Sequence, residues 1–152
     1  MSKILSTLAV TGLIGATALT ASAQSGNDQY ALIKRVSEAQ LETIVTRTPN
    51  HTLLTDSRED AVYVLGQTDT GLKYVMQGTA CNDEGCLGVM VQVRYTVDWP
   101  QNYEYLNEAN YRRTAATTLR EGESTLIVQR YLILDGGMTA KNIEYSIRNL
   151  VG

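Results

Sequence analysis

Three segments rich in Val, Tyr, Leu and Met, residues 61–65, 72–77 and 87–96, follow one another with only turn chemistry between them. This run constrains the fold more than any other feature of the chain. Asp69-Thr70-Gly71 supplies the first turn and Asn82-Asp83-Glu84-Gly85 the second. Adjacent strands joined this way make an antiparallel meander, with helices packed on one face, rather than a parallel α/β sheet.

The flanking segments read as helix and hairpin. Ser37 followed by Gln40 has the spacing of a capping box, and Leu41, Ile44 and Val45 then fall on one helical face. That helix should end near Arg47, ahead of Pro49. Trp99-Pro100 closes the meander, and residues 101–113 read as a second helix, with Tyr103, Leu106 and Asn110 at spacings of three and four. Glu121-Gly122-Glu123 turns a strand that ends near Leu119 into one over residues 125–134, whose Leu126, Val128, Leu132 and Leu134 share a face. After Asp135-Gly136-Gly137, Thr139 caps a final helix with Ile143, Ile147 and Leu150 as its apolar stripe. The expected order is helix, three-stranded meander, helix, hairpin, helix. The expected class is α+β, with an antiparallel sheet of about five strands and its helices on one face.

The start of the chain reads as an address rather than as fold. Lys3 precedes an apolar run over residues 4–20 that ends in Ala21-Ser22-Ala23, a small-x-small cleavage pattern. The run approaches the length of a membrane span, but its Ser, Thr and Gly content and the Ala-x-Ala site favour cleavage after Ala23. Residues 1–23 are then a signal peptide, 24–35 an N-terminal lead-in with a polar start at 24–29, and 36–152 the folded domain. The product is expected in the periplasm or outside the cell. It keeps 12 basic and 16 acidic residues, a formal charge of −4. The basic residues are scattered among acids, which argues against nucleic acid as a partner, and no Lys/Arg-rich amphipathic helix points to a membrane surface.

Cys81 and Cys86 bracket the second turn, so a hairpin sets them opposite each other, with Cα atoms roughly 4.5 to 5.5 Å apart. Export to an oxidising compartment lets a disulfide between them persist. Their spacing is not the Cys-x-x-Cys of thioredoxin-like exchange, and zinc would need more ligands than the two cysteines and His51 supply. His51 is the only histidine and reads as a surface residue in a loop. No Gly-x-Ser-x-Gly or similar motif accompanies it. Asp69-Thr70-Gly71 has the tripeptide of aspartic proteases, but Gln67 and Thr68 lead into it where an apolar strand is required. Asp56-Ser57-Arg58-Glu59-Asp60 lacks the alternation and glycine of a calcium loop and reads as a solvated turn. Gly136-Gly137 lacks the frame of a phosphate cradle. No catalytic residue, metal site or cofactor is expected.

Nine Tyr accompany one Trp and no Phe. Tyr63, Tyr74, Tyr95 and Tyr131 read as half-buried strand residues with hydroxyls at the rim, or as a Tyr-lined recognition surface. Both readings stay open at this point.

Three stretches taken in order resemble the YbjN family. They are Gly78-Thr79-Ala80-Cys81 with Cys86, then Leu106-Asn107-Glu108-Ala109-Asn110-Tyr111-Arg112-Arg113, and finally Leu132-Ile133-Leu134-Asp135-Gly136-Gly137-Met138-Thr139. Ala109 departs from the family's helix motif, Asn-x-Trp-Asn. The resemblance implies a fold similar to type III secretion chaperones, a role in bacterial sensory transduction, and a homodimer. Fold alone does not assign a reaction. The candidate partner contacts it offers are Asn107, Asn110 and Tyr111, with Asn107 and Asn110 at i and i+3 able instead to tie their helix to the adjoining strand. The reading is therefore a noncatalytic exported module that binds a protein or peptide partner in the cell envelope. The alternative is a small-ligand sensor with a pocket between sheet and helices, and a hydrolase such as an aspartic protease ranks below both.

Overall fold

The computed structural model describes residues 30–54, 61–98, 103–113 and 115–152. The signal segment, the start of the lead-in at 24–29, the acidic cluster at 56–60 and Trp99-Pro100 lie outside the described residues.

The first helix forms where its caps dictate. In α1, Glu38–Arg47, the Ser37 hydroxyl accepts from the Gln40 amide while the Gln40 side chain accepts from the Ser37 N–H at 2.9 Å. Leu41, Ile44 and Val45 are buried, and each such side chain contributes about 1.5 to 3 kcal/mol by leaving water. Thr48 closes the helix: its N–H bonds the carbonyls of Ile44 and Val45, and its hydroxyl donates to Ile44 at 2.7 Å. Asn50, at φ 65°, then turns the chain directly into a strand.

That strand, β2 at His51–Leu54, corrects the expected topology. It pairs antiparallel with β3, Tyr63–Thr68, so the meander β2, β3, β4 (Lys73–Asn82) and β5 (Gly85–Thr96) has four strands rather than three. With α2 at Glu104–Arg112 and the hairpin of β6, Thr117–Glu121, and β7, Thr125–Ile133, the sheet has six strands in the order β2-β3-β4-β5-β7-β6. A four-residue strand that starts beside a loop-forming Asn shows too little alternation to be read from sequence. A separate pair joins β1, Leu32–Ile33, to β8, Met138–Thr139, just ahead of α3, Ala140–Val151. The segment 30–35, grouped with the lead-in on sequence, therefore belongs to the folded body: Ile33 packs against the core, and Arg35 pairs with Glu84 at 3.2 Å.

Register divides the sheet into two faces. One cross-strand row runs Val64, Met76, Val91, and Val89 stands opposite Leu132. These residues join Leu41, Ile44 and Val45 of α1 and Ile143 and Ile147 of α3 in one buried cluster. α3 starts where expected, with the Thr139 hydroxyl accepting from the Asn142 amide at 3.1 Å. Tyr74 lies on this covered face opposite Gly66, where a Cβ would sit 2.3 Å from the tyrosine Cζ. Only glycine leaves the ring room to cross β3 towards β2.

The other face carries the row Tyr63, Gln77, Met90, Tyr131 and, beside it, Leu65, Val75, Gln92, Gln129, Thr117. Neither α1 nor α3 packs here. Among the described residues, no helix is long and apolar enough to cross a membrane.

Candidate functional site

Cys81 and Cys86 form a disulfide with Cα atoms 3.8 Å apart. Cys86 exchanges both backbone hydrogen bonds with Val36, at 2.9 and 3.0 Å, so its N–H and C=O point away from Cys81. The cysteines are thus a non-hydrogen-bonded pair, the closer of the two antiparallel arrangements. Cys86 is fully buried while Cys81 is exposed. The bridge sits where residues 35 and 36 dock on the hairpin, with Arg35 reaching Asn82 and Glu84. Its position is that of a staple.

The three family-derived contact residues separate on α2. Asn110 turns inward: its amide donates to the Thr118 carbonyl at 3.0 Å and accepts from the Thr118 N–H at 2.6 Å. Both groups of Thr118 therefore face away from β7, and Asn110 caps the outer edge of β6. Asn107 and Tyr111 are exposed, Tyr111 at 86%, and with Tyr103 they stand at i, i+4 and i+8. Leu106 alone of the helix is buried. The spacing of three between the asparagines did not put them to one use, because the docking of Leu106 and Asn110 against β6 selects the inward side.

Two residues that sequence reading kept apart, His51 and Asp69, line one cleft. It measures about 440 Å³ and lies where the start of β2 and the β3–β4 turn meet the end of α3, which adds Tyr145, Arg148 and Asn149. His51 is not a loop residue on the surface: it opens β2, is partly buried, and meets the Tyr74 hydroxyl through Nδ1 at 2.8 Å. The two rings are edge-on, with centroids 5.4 Å apart. Burial holds the His51 pKa below its usual value; Asp69 opposes that and Arg148 adds to it. Burial also raises the Tyr74 pKa, so the phenol stays protonated.

Asp69 occupies the exposed turn expected of it, tied to the residue just before β2 by its N–H to the Asn50 carbonyl at 2.9 Å. No second Asp or Glu lines the cleft beside it, and Gly152, at the end of α3, completes the lining. Among the described residues, no three His, Cys, Asp or Glu side chains gather where they could hold a metal ion. Arg148 and Tyr145 were not singled out on sequence, and nothing local marks them. Their role depends on where the last turns of α3 come to rest.

The tyrosines also divide. Tyr74 is 1% exposed and Tyr63 is buried, whereas Tyr131, on the same face as Tyr63 and opposite to α1 and α3, is 48% exposed, with Ile133 at 63% beside it and Leu119 exposed further along. Tyr131 lies over Gly88, and its hydroxyl accepts from Thr79 at 3.2 Å. The class defined by these features is an α+β domain: a six-stranded antiparallel sheet covered on one face by α1 and α3, with a stapled hairpin and one edge capped by α2. No protein-family model matches the chain, and no curated protein matches it either.

Proposed function

We propose that the chain is an exported, noncatalytic interaction module that binds a protein or peptide partner of the cell envelope through the sheet face that α1 and α3 leave uncovered. The observation that carries this is the exposure of Tyr131, Ile133 and Leu119 on that face, around the half-buried Leu65, Val75 and Met90. Aromatic and aliphatic groups ringed by Gln and charged side chains have the composition of an interface core and its rim. The Cys81–Cys86 bridge is compatible with an oxidising compartment, and with the signal-like start of the chain it supports delivery to the periplasm or beyond. The resemblance to the YbjN family adds a place in bacterial sensory transduction, a chaperone-like arrangement of sheet and helices, and a second copy of the chain as one partner.

The test is crosslinking capture of envelope proteins by the mature domain, run beside an Ile133→Glu variant. Ile133 is exposed, so the charge meets water and the fold is kept. The proposal expects specific proteins with the natural sequence and their loss with the variant. Recovery of nothing above background, or equal recovery by both, would sink it.

A further inference from the structure

We propose that the cavity between β1, α1 and α3 binds a small neutral molecule with an apolar body and one N–H or O–H group, which donates to the carboxylate of Glu144. The cavity measures about 310 Å³, at the lower end of small-molecule sites. Its floor is Ile44, Ala140 and Glu144, all buried, and Leu32 and Ile33 of β1 form one wall. Gln40, Thr43 and Arg47 are exposed and form the mouth. The cavity shares no residue with the sheet face of the proposed interaction, so either can fail alone.

Glu144 selects the ligand. Its side chain is only 10% exposed, and among the described residues its one partner is Lys141, which meets Oε2 at 3.4 Å. Oε1 has no partner, yet among the described residues no side-chain oxygen is both sealed from solvent and unbonded. Oε1 is therefore open, and the space that Glu144 lines is the cavity. A carboxylate oxygen with free lone pairs at an apolar floor accepts from a donor, and its charge strengthens the bond. Charge then decides the kind of donor. Glu144 repels an anion that reaches the floor. A cation gains little, because Lys141 already offsets the carboxylate and Arg47 stands at the mouth with the cation's own sign. A neutral donor meets neither penalty. At the mouth the Gln40 side-chain oxygen accepts from Ser37, and the Thr43 hydroxyl donates to the Ala39 carbonyl at 2.8 Å, so both are committed to α1 and its cap.

The probe is indole, followed by NMR of the backbone amides and by calorimetry. Saturable shifts are expected at Ile33, Ile44, Ala140 and Glu144. The methylated analogue 1-methylindole, which keeps the apolar body and loses the donor, should bind about tenfold more weakly, the worth of one hydrogen bond to a charged group. Glu144→Gln should weaken indole by about fivefold or more, since a neutral amide oxygen accepts less strongly. That variant also drops the Lys141 pair, so Thr43→Trp is the second: its position is exposed, the fold is kept, and the ring fills the mouth and abolishes binding. Equal binding of 1-methylindole, undiminished binding by either variant, or no saturable shift at about 5 mM indole, past the reach of a millimolar site, would overturn the assignment.

Discussion

Opening the Cys81–Cys86 bridge should cost the domain about 2 kcal/mol. The bridge closes a loop of six residues, and the chain-entropy relation for a loop of that size gives about 2 kcal/mol at 25 °C. Cys81→Ser isolates this quantity. Cys81 is exposed, so the new hydroxyl meets water, while the buried Cys86 keeps its sulfur in the core and no cavity forms. Urea unfolding at neutral pH is the assay, with the natural sequence measured with and without reductant. The reduced protein and the variant should coincide, each about 2 kcal/mol below the oxidised form, with a midpoint temperature lower by on the order of 6 to 10 °C. Reductant should leave the variant unchanged. Amide exchange should quicken at Val36 and Cys86, whose mutual bonds lean on the stapled tip. A difference below about 0.5 kcal/mol would show that β4, β5 and their two-residue turn hold the loop closed without the bridge, and the entropic reasoning would fail.

Asn110→Ala removes both hydrogen bonds to Thr118 and should cost about 2 kcal/mol, against less than about 0.5 kcal/mol for Asn107→Ala, both read by urea unfolding. Similar losses at the two sites would refute the edge-cap role. Gly66→Ala drives a methyl into the buried Tyr74 ring and should destabilise by about 1 to 3 kcal/mol, with a changed His51 ring environment by NMR. Unaltered stability would mean the ring is not confined. Since the folded-state pKa of His51 is depressed, the unfolded chain binds its proton first as pH falls. The His51 contribution is therefore whole above about pH 6.5 and declines as pH drops from there through the folded pKa. His51→Gln should flatten that part of the stability profile. Identical profiles for the two proteins would reject the burial argument.

What could be read from the sequence was local. Ser37 with Gln40 and Thr139 with Asn142 act on backbone groups three residues away, and the cysteines act across a two-residue turn, so spacing alone carries the information. The strands that escaped detection, β1, β2 and β8, have two to four residues, too few for alternation to show against a loop. The cleft was illegible for a different reason. His51 reaches Asp69 through the β2–β3 register, and Arg148 joins them only because the last turns of α3 settle over that corner. Even the Tyr74 contact requires a glycine at the registered position of the intervening strand. Each of these is a tertiary accident of pairing that no window along the chain contains.

The fate of the sheet edges bears on how a partner can bind. A free edge invites another strand, and natural sheets blunt it. Here β6 is blunted by Asn110, which occupies both outward groups of Thr118, the second residue of a five-residue strand. At the opposite edge β2 offers only four residues, and its first, His51, is committed to Tyr74 and the cleft. Addition of a long partner strand is thereby disfavoured at either side. A partner must be met by side chains, and the largest exposed apolar side chains on the sheet, Ile133 and Tyr131, sit together on the face that α1 and α3 leave uncovered. For this reason the Ile133→Glu variant is the sharper probe of binding, and a substitution at Asn110 would confuse loss of contact with loss of fold.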